Sequence, residues 1–179
     1  MNTNKAKSII TNWLLYEKNY LGAVTEFGIG FYRADIIGVK RSLYVAEFEL
    51  KTNKSDLLRE LRIIERITKG IKRKIYSISK LYKHRRYLNI IIGSKLDFIP
   101  NEFSFIVTEG LEDILIDYIK DTMYGAYFIK KEYGNYPIAE IKRPKKFHKK
   151  KIDDVDIKRL FGKVSIENND LRKKLYFNN

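Results

Sequence analysis

The stretch Arg33–Lys51, RADIIGVKRSLYVAEFELK, decides how the rest of the chain is read. It reads as two strands joined by a short turn, Tyr32 to Val39 and Leu43 to Lys51. Successive side chains on a strand point to opposite faces. Tyr44, Ala46, Phe48 and Leu50 therefore share one face, and Val45, Glu47, Glu49 and Lys51 share the other. Three charges on one face of an otherwise apolar strand require partners, because burying unpaired charge is costly. On the first strand Asp35 stands among Ala34, Ile36 and Ile37, against strand propensity. Facing the same way as Glu49, it would complete a carboxylate cluster beside a lysine. Two carboxylates can hold a hard divalent cation, and an adjacent lysine can orient or deprotonate a water. The plainer reading is the solvated face of an antiparallel sheet, with Lys51 paired to Glu49. Glu47 reads as a solvated neighbour rather than a third site acid.

The arrangement resembles the PD-(D/E)XK nuclease superfamily, with Asp35 as the isolated acid and Glu49-Leu50-Lys51 as the E-x-K. Ala34 stands where a proline usually precedes the acid. More narrowly, the order of elements is similar to that of the MmcB-like and related phage or bacterial DNA-repair nucleases. It runs Glu26, Arg33-Ala34-Asp35, Glu49-Leu50-Lys51, then Asn53-Lys54-Ser55-Asp56, with Asn53 in place of a serine. Lys83, His84 and Tyr87 resemble a later Lys-aromatic-Tyr element, and Tyr124-Gly125 a glycine-containing late strand. Between Asp56 and Lys83 the chain is longer than the family pattern and rich in Arg and Lys. The resemblance covers most of residues 20 to 150. It implies an α/β fold: one restriction-endonuclease-like domain over residues 1–151, with a mixed central sheet flanked by helices, and a helical extension over 152–179. It implies that Asp35, Glu49 and the main-chain carbonyl of Leu50 bind Mg²⁺ or Mn²⁺. Lys51 then positions or activates the attacking water, and Glu26 supports the metal or a second one. The implied activity is phosphodiester cleavage of DNA in repair or recombination, in the cytoplasm of a bacterium or a phage-infected host. Dimerisation is common in the superfamily, so a homodimer is an open expectation.

Composition agrees with a nucleic-acid partner. The formal net charge is +14 over 179 residues, with pI near 9.7. Such a surplus points to a polyanion, either nucleic acid or an anionic membrane surface. The basic residues are spread among 13 tyrosines and 10 phenylalanines rather than gathered in a tail, which favours a folded nucleic-acid surface. At 44% hydrophobic residues the chain can build a core. No apolar run is long enough to span a bilayer, and MNTNKAKSII lacks the features of a secretory signal. There are no cysteines, which excludes disulfides, thiolate zinc sites and a Cys nucleophile. With His84 and His148 the only histidines, any metal rests mainly on carboxylates, as Mg²⁺ or Mn²⁺ do. Two other readings stand beside the nuclease. One is a non-catalytic nucleic-acid-binding protein that keeps the fold; the other is a basic structural or membrane-surface protein.

In chain order, residues 3 to 18 read as a helix with Ala6, Ile9, Ile10, Trp13 and Leu14 inward. Glu17 at its end is a weaker acid candidate than Glu26, which lies in the first strand, Val24 to Phe31. Gly28-Ile29-Gly30 reads as a turn or bulge. Thr52 and Asn53 cap a helix from about Lys54 to Lys69, with Leu57, Leu58, Leu61, Ile64 and Ile67 inward. Arg59, Arg62, Arg66 and Lys69 fall on its outer face, beside the E-x-K strand end, and are candidates for holding a phosphate backbone. Lys72 to Tyr87 is basic and aromatic, helical from at least Ser79 to Leu88, and offers Lys83 and His84 as further phosphate contacts. Glu102 to Thr108 reads as a strand, 110 to 120 as a helix, and Tyr124–Lys130 and Pro137–Lys142 as late strands. The run KRPKKFHKKK, with Lys145 and Lys146, reads as a linker or a nucleic-acid-binding arm. Polar helices around Leu160 and Leu171 follow.

Overall fold

The computed structural model describes residues 1–29, 32–70, 78–89 and 99–162. Its six strands form one mixed sheet in chain order: β1 (Gly22–Ile29), β2 (Tyr32–Val39), β3 (Val45–Lys51), β4 (Glu102–Thr108), β5 (Gly125–Ile129) and β6 (Ile138–Lys142). Strands β1 to β3 make an antiparallel meander, β4 and β5 run parallel to β3, and β6 returns antiparallel on β5. Parallel neighbours need long crossovers. Helices α2 (Lys54–Thr68) and α3 (Ile78–Asn89) lie in the β3–β4 crossover, and α4 (Glu112–Ile119) in the β4–β5 crossover. Helix α1 (Thr3–Asn12) precedes the sheet. The α/β fold with a mixed sheet and flanking helices is as the sequence leads one to expect.

Both faces of the sheet are covered. Ala46, Phe48 and Leu50 of β3 pack with Ala6, Ile10, Trp13 and Leu14 from α1 and the turn after it. Val45 and the β4 residues Phe103, Phe105 and Val107 pack with Leu57, Leu61 and Ile64 of α2 and Leu115 and Ile119 of α4. Every residue of β3 is buried. A solvated polar face is therefore excluded for β3: it is a central strand, parallel to β4 and roofed by helices. The alternation read from the sequence holds, but its polar side faces the interior.

Boundaries differ for local reasons. Leu43 takes a left-handed φ of 63° in the turn after β2, so β3 starts at Val45. Helix α1 ends at Asn12 and continues as a wider π-type turn over Trp13–Glu17, closed by Lys18 N–H donating to the Trp13 carbonyl at 2.9 Å. Gly28 and Ile29 pair within β1, so they form no turn; residues 30 and 31 lie outside the described residues. Asn53 caps α2, its side chain accepting from Asp56 N–H at 2.8 Å. Lys72, Arg73, Lys74 and Tyr76 lie outside the described residues, as does everything beyond 162, Leu171 included. Residues 154–162 are helical, and Ile152 and Leu160 join the core that holds α2 and α4. The basic run after β6 is strapped to the body: Lys145 N–H donates to Met123, Phe147 N–H to Asn101 and Ile152 N–H to Leu43, while Phe147 is buried.

Candidate active site

The β1–β2 and β2–β3 ladders both break at Asp35. In β1–β2, Thr25 pairs with Ile36 and Phe27 with Ala34, leaving Glu26 across from Asp35 with a left-handed φ of 53°. That conformation is uncommon for a glutamate and marks a strained position. The β2–β3 ladder ends at Ile36 opposite Phe48, so Asp35, next in register to Glu49, lies where the two strands part. One oxygen of Asp35 accepts from Leu50 N–H at 2.9 Å, and the other from Lys7 Nζ at 3.3 Å. On a strand, one residue's N–H and C=O point the same way. The Leu50 carbonyl therefore looks into the same gap. Burial, and then the negative charge of Glu49, push the Asp35 carboxyl above its ordinary range. Glu26 is held by Lys7 and, at 2.6 Å, by Arg33.

The polar side of β3 enters an enclosed network. Lys51 Nζ donates to Glu49 at 2.8 Å and Asp56 at 2.9 Å and lies 2.7 Å from Glu60. Lys83 of α3 donates to the other Glu49 oxygen at 2.6 Å and stands 3.4 Å from Glu60 and 3.5 Å from Glu47. Lys80 pairs with Glu60. Tyr87 donates to Glu47 at 2.5 Å and accepts from Tyr32. Burial and the Glu60 contact fix the state of His84. Its pKa is lowered by burial, and Glu60 is held ionised by Lys83, His84 and Lys51 against its own burial. His84 Nε2–H then donates to Glu60 at 2.9 Å, and Nδ1 accepts from Tyr124 O–H at 2.9 Å.

The charges nearly balance. Glu47, Glu49, Asp56 and Glu60 supply four carboxyls against the ammonium groups of Lys51, Lys80 and Lys83. Burial pushes Glu47 up to about 7, so near neutrality it carries much of a proton and the remainder is three against three. Burial pulls Lys51 down, and Glu49 and Glu60 more than offset it, raising its pKa. Lys51 is a fixed ammonium, suited to donating hydrogen bonds and positive charge rather than to taking up a proton.

The structure thus brings Asp35, Glu49, Leu50 and Lys51 together, with Glu26 linked to Asp35 through Lys7. Two expectations change. Lys83 and His84 are 2% and 0% exposed, so neither reaches a phosphate backbone; both brace the network because α3 docks on the sheet. Glu47 is 0% exposed and bonded to Tyr87 rather than solvated. Glu17 is exposed at the end of the π-type turn. Arg59, Arg62 and Lys69 are exposed and Arg66 half-buried, with Arg59 tied to Asp56 and Lys69 to Glu65. Lys145 and Lys146 are exposed, the latter 3.5 Å above the Tyr44 ring. Sequence reading missed Lys7, Glu60 and Lys80. Two carried a signal: Lys7 lies between Ala6 and Ile10, and Glu60 between Leu57 and Leu61, each on a helix face otherwise apolar.

Among the described residues no three His, Asp or Glu side chains converge as a metal-binding group. The donor set implied by the resemblance is smaller: two carboxylates and one main-chain carbonyl, oxygen only. Its chemistry fits a hard cation such as Mg²⁺ or Mn²⁺. The repulsion that raises Asp35 is what such a cation would relieve. Lys51 and Lys83 already engage both Glu49 oxygens, so a cation would compete with an ammonium there.

No family model matches the sequence, and no curated protein matches it. Among solved structures, a protein of unknown function from Silicibacter pomeroyi is similar, with a TM-score of 0.54 and 12% identity over 95% of this chain and 87% of that one. At that identity the likeness shows a shared fold and nothing more.

Proposed function

We propose that the protein is a metal-dependent deoxyribonuclease. The observation that carries this reading is the seat of Asp35, at the parting of β2 and β3, bonded to Leu50 N–H and beside Glu49 and Lys51. Asp35, Glu49 and the Leu50 carbonyl would hold the Mg²⁺ or Mn²⁺. A cation bound there supplies Lewis-acid stabilisation of the negative charge that develops on the phosphate. Lys51, kept protonated by Glu49 and Glu60, is buried like Lys83 and acts on the attacking water by holding Glu49 in place. Lys7 of α1, itself paired with Glu26, fixes Asp35. The surplus of +14 draws the polyanion to the surface, with Arg59, Arg62, Arg66, Lys69, Lys145 and Lys146 offering phosphate contacts. A role in repair or recombination, a cytoplasmic setting in a bacterium or phage-infected host, and a homodimer extend the reading by resemblance.

The test is incubation with plasmid, single-stranded and four-way-junction DNA, with Mg²⁺, with Mn²⁺ and with EDTA. Metal-dependent cutting of at least one substrate is expected. Absence of cutting on all of them would favour the second reading, a nucleic-acid-binding protein that keeps the fold without cleaving. One observation supports that alternative: each oxygen of Glu49 is already held by a lysine.

A further inference from the structure

Helix α1 is flanked by two open clefts. The first, about 310 Å³, lies between the π-type turn and the β5–β6 hairpin. Trp13 and Ile9 line it, Tyr16 and Tyr136 stand at its sides, Asn12 and Asn135 add amides, and Glu17 adds a carboxylate. Tyr16 is 81% exposed. The turn that presents it is of the π type, a departure from α geometry that recurs at functional sites. The hairpin that presents Tyr136 is held by an anti-parallel bridge between Glu132 and Asn135, with Tyr133 and Gly134 at φ of 44° and 88° between them, the pattern of a tight primed turn. Positive charge is close at hand: Lys5 donates to the Tyr136 hydroxyl at 3.1 Å and lies 4.4 Å over one face of that ring, leaving the other face for a base, and Lys18 lies 5.1 Å over Trp13. The second cleft, about 340 Å³, is lined by Ser8, Thr11 and Thr25 and ends on Glu26 and on Lys7, which bonds both Glu26 and Asp35. Asn12 lines both clefts, so they adjoin at that residue on either flank of α1.

We propose that this path is a track for single-stranded DNA leading to Asp35, with one base seated between Tyr16 and Tyr136. The proposal rests on the nuclease reading for its destination but not for the binding itself. A cleft with aromatic sides accepts any base face, and amides at its rim meet base edges; cationic side chains beside it meet the backbone. A duplex offers neither free faces nor room to enter. From Lys7 to Tyr16 the chain advances about 13 Å at helical rise, the length of two or three nucleotides. The base held in the first cleft would therefore be a near neighbour of the phosphate at Asp35.

The experiment is fluorescence anisotropy in EDTA on the full chain, with a labelled oligo-dT and a labelled duplex of equal length. The proteins are wild type, Tyr16→Ala, Tyr136→Ala, and the Tyr16→Phe/Tyr136→Phe double variant. Each alanine variant should weaken single-strand binding roughly five- to a hundredfold, the range of one lost base–aromatic stack. The phenylalanine variant should bind like wild type, and duplex binding should be unchanged throughout. Unchanged single-strand affinity in both alanine variants would overturn the track, as would an equal loss on duplex. The outcome is separate from cleavage. Tyrosine-dependent binding without any metal-dependent cutting would remove the nuclease reading and leave the track; cutting that ignores the tyrosines would do the reverse.

Discussion

Glu47 shows how burial alone changes what a residue does. Its carboxyl is pushed up from 4.5 to about 7 by desolvation, in spite of Lys83 and Tyr87 beside it. The folded protein therefore keeps a proton that the unfolded chain releases, so stability falls as pH rises from the ordinary carboxylate range toward about 7. Glu60 and Asp56 act in the opposite sense: their carboxyls are held low by lysine partners, and that contribution is lost as pH falls through the acid range. His84, lowered by burial, acts oppositely to Glu47 over the same range, so the read-out is the comparison of the two proteins by denaturant unfolding: from about pH 5 to about pH 8 the stability slope of Glu47→Gln should be more positive than that of wild type. An unchanged slope in Glu47→Gln would remove Glu47 as a source of it. Lys51 has a similar double character. The resemblance makes it the residue that positions or activates water, but it is also 2% exposed and braces Glu49, Asp56 and Glu60. Lys51→Met is expected to abolish cleavage and to cost about 3 kcal/mol of stability, because the acids lose a buried partner. Thermal melting and an initial-rate assay on one preparation would check both.

At the scale of elements, α2 carries one function on each side. Its inner face turns Glu60 to Lys51, Lys80, Lys83 and His84, and its outer face presents Arg59, Arg62, Arg66 and Lys69. Two of the outer cations already have acidic partners on the helix, so Arg62 and Arg66 are the stronger candidates for phosphate contact. Replacing both with Gln should lower the salt slope of duplex binding by about 1.8 if each makes one contact. Binding titrations across a salt series measure this, and an unchanged slope would make the stripe a solvated face. The helices and strands themselves were readable because their apolar periods are clean: β2 was legible to the residue, and α2 from its Asn53 cap. The π-type turn was not, since the apolar stripe simply runs on through Trp13 and Leu14. The broken register at Glu26 was invisible too, because it depends on which residue of β2 lies opposite.

Over the whole molecule, the depth of the site follows from topology. Strand β3 pairs with β4, some fifty positions later in the chain, and that parallel pairing with its helical crossover is what encloses Glu47, Glu49 and Lys51. A local reading could see the E-x-K but not that Lys80, Lys83 and His84 would arrive from α3 to saturate it. The same non-local packing places His84 against Phe103, Phe105 and Tyr124, where no phosphate can reach. The central claim is that Asp35 serves metal-dependent cleavage, and Asp35→Asn tests it most directly. That change keeps shape while removing a negative charge and a good oxygen ligand. With Mg²⁺ present, its cleavage rate on the best wild-type substrate should fall by orders of magnitude, while DNA binding in EDTA holds or improves. Wild-type cleavage by Asp35→Asn would contradict the account.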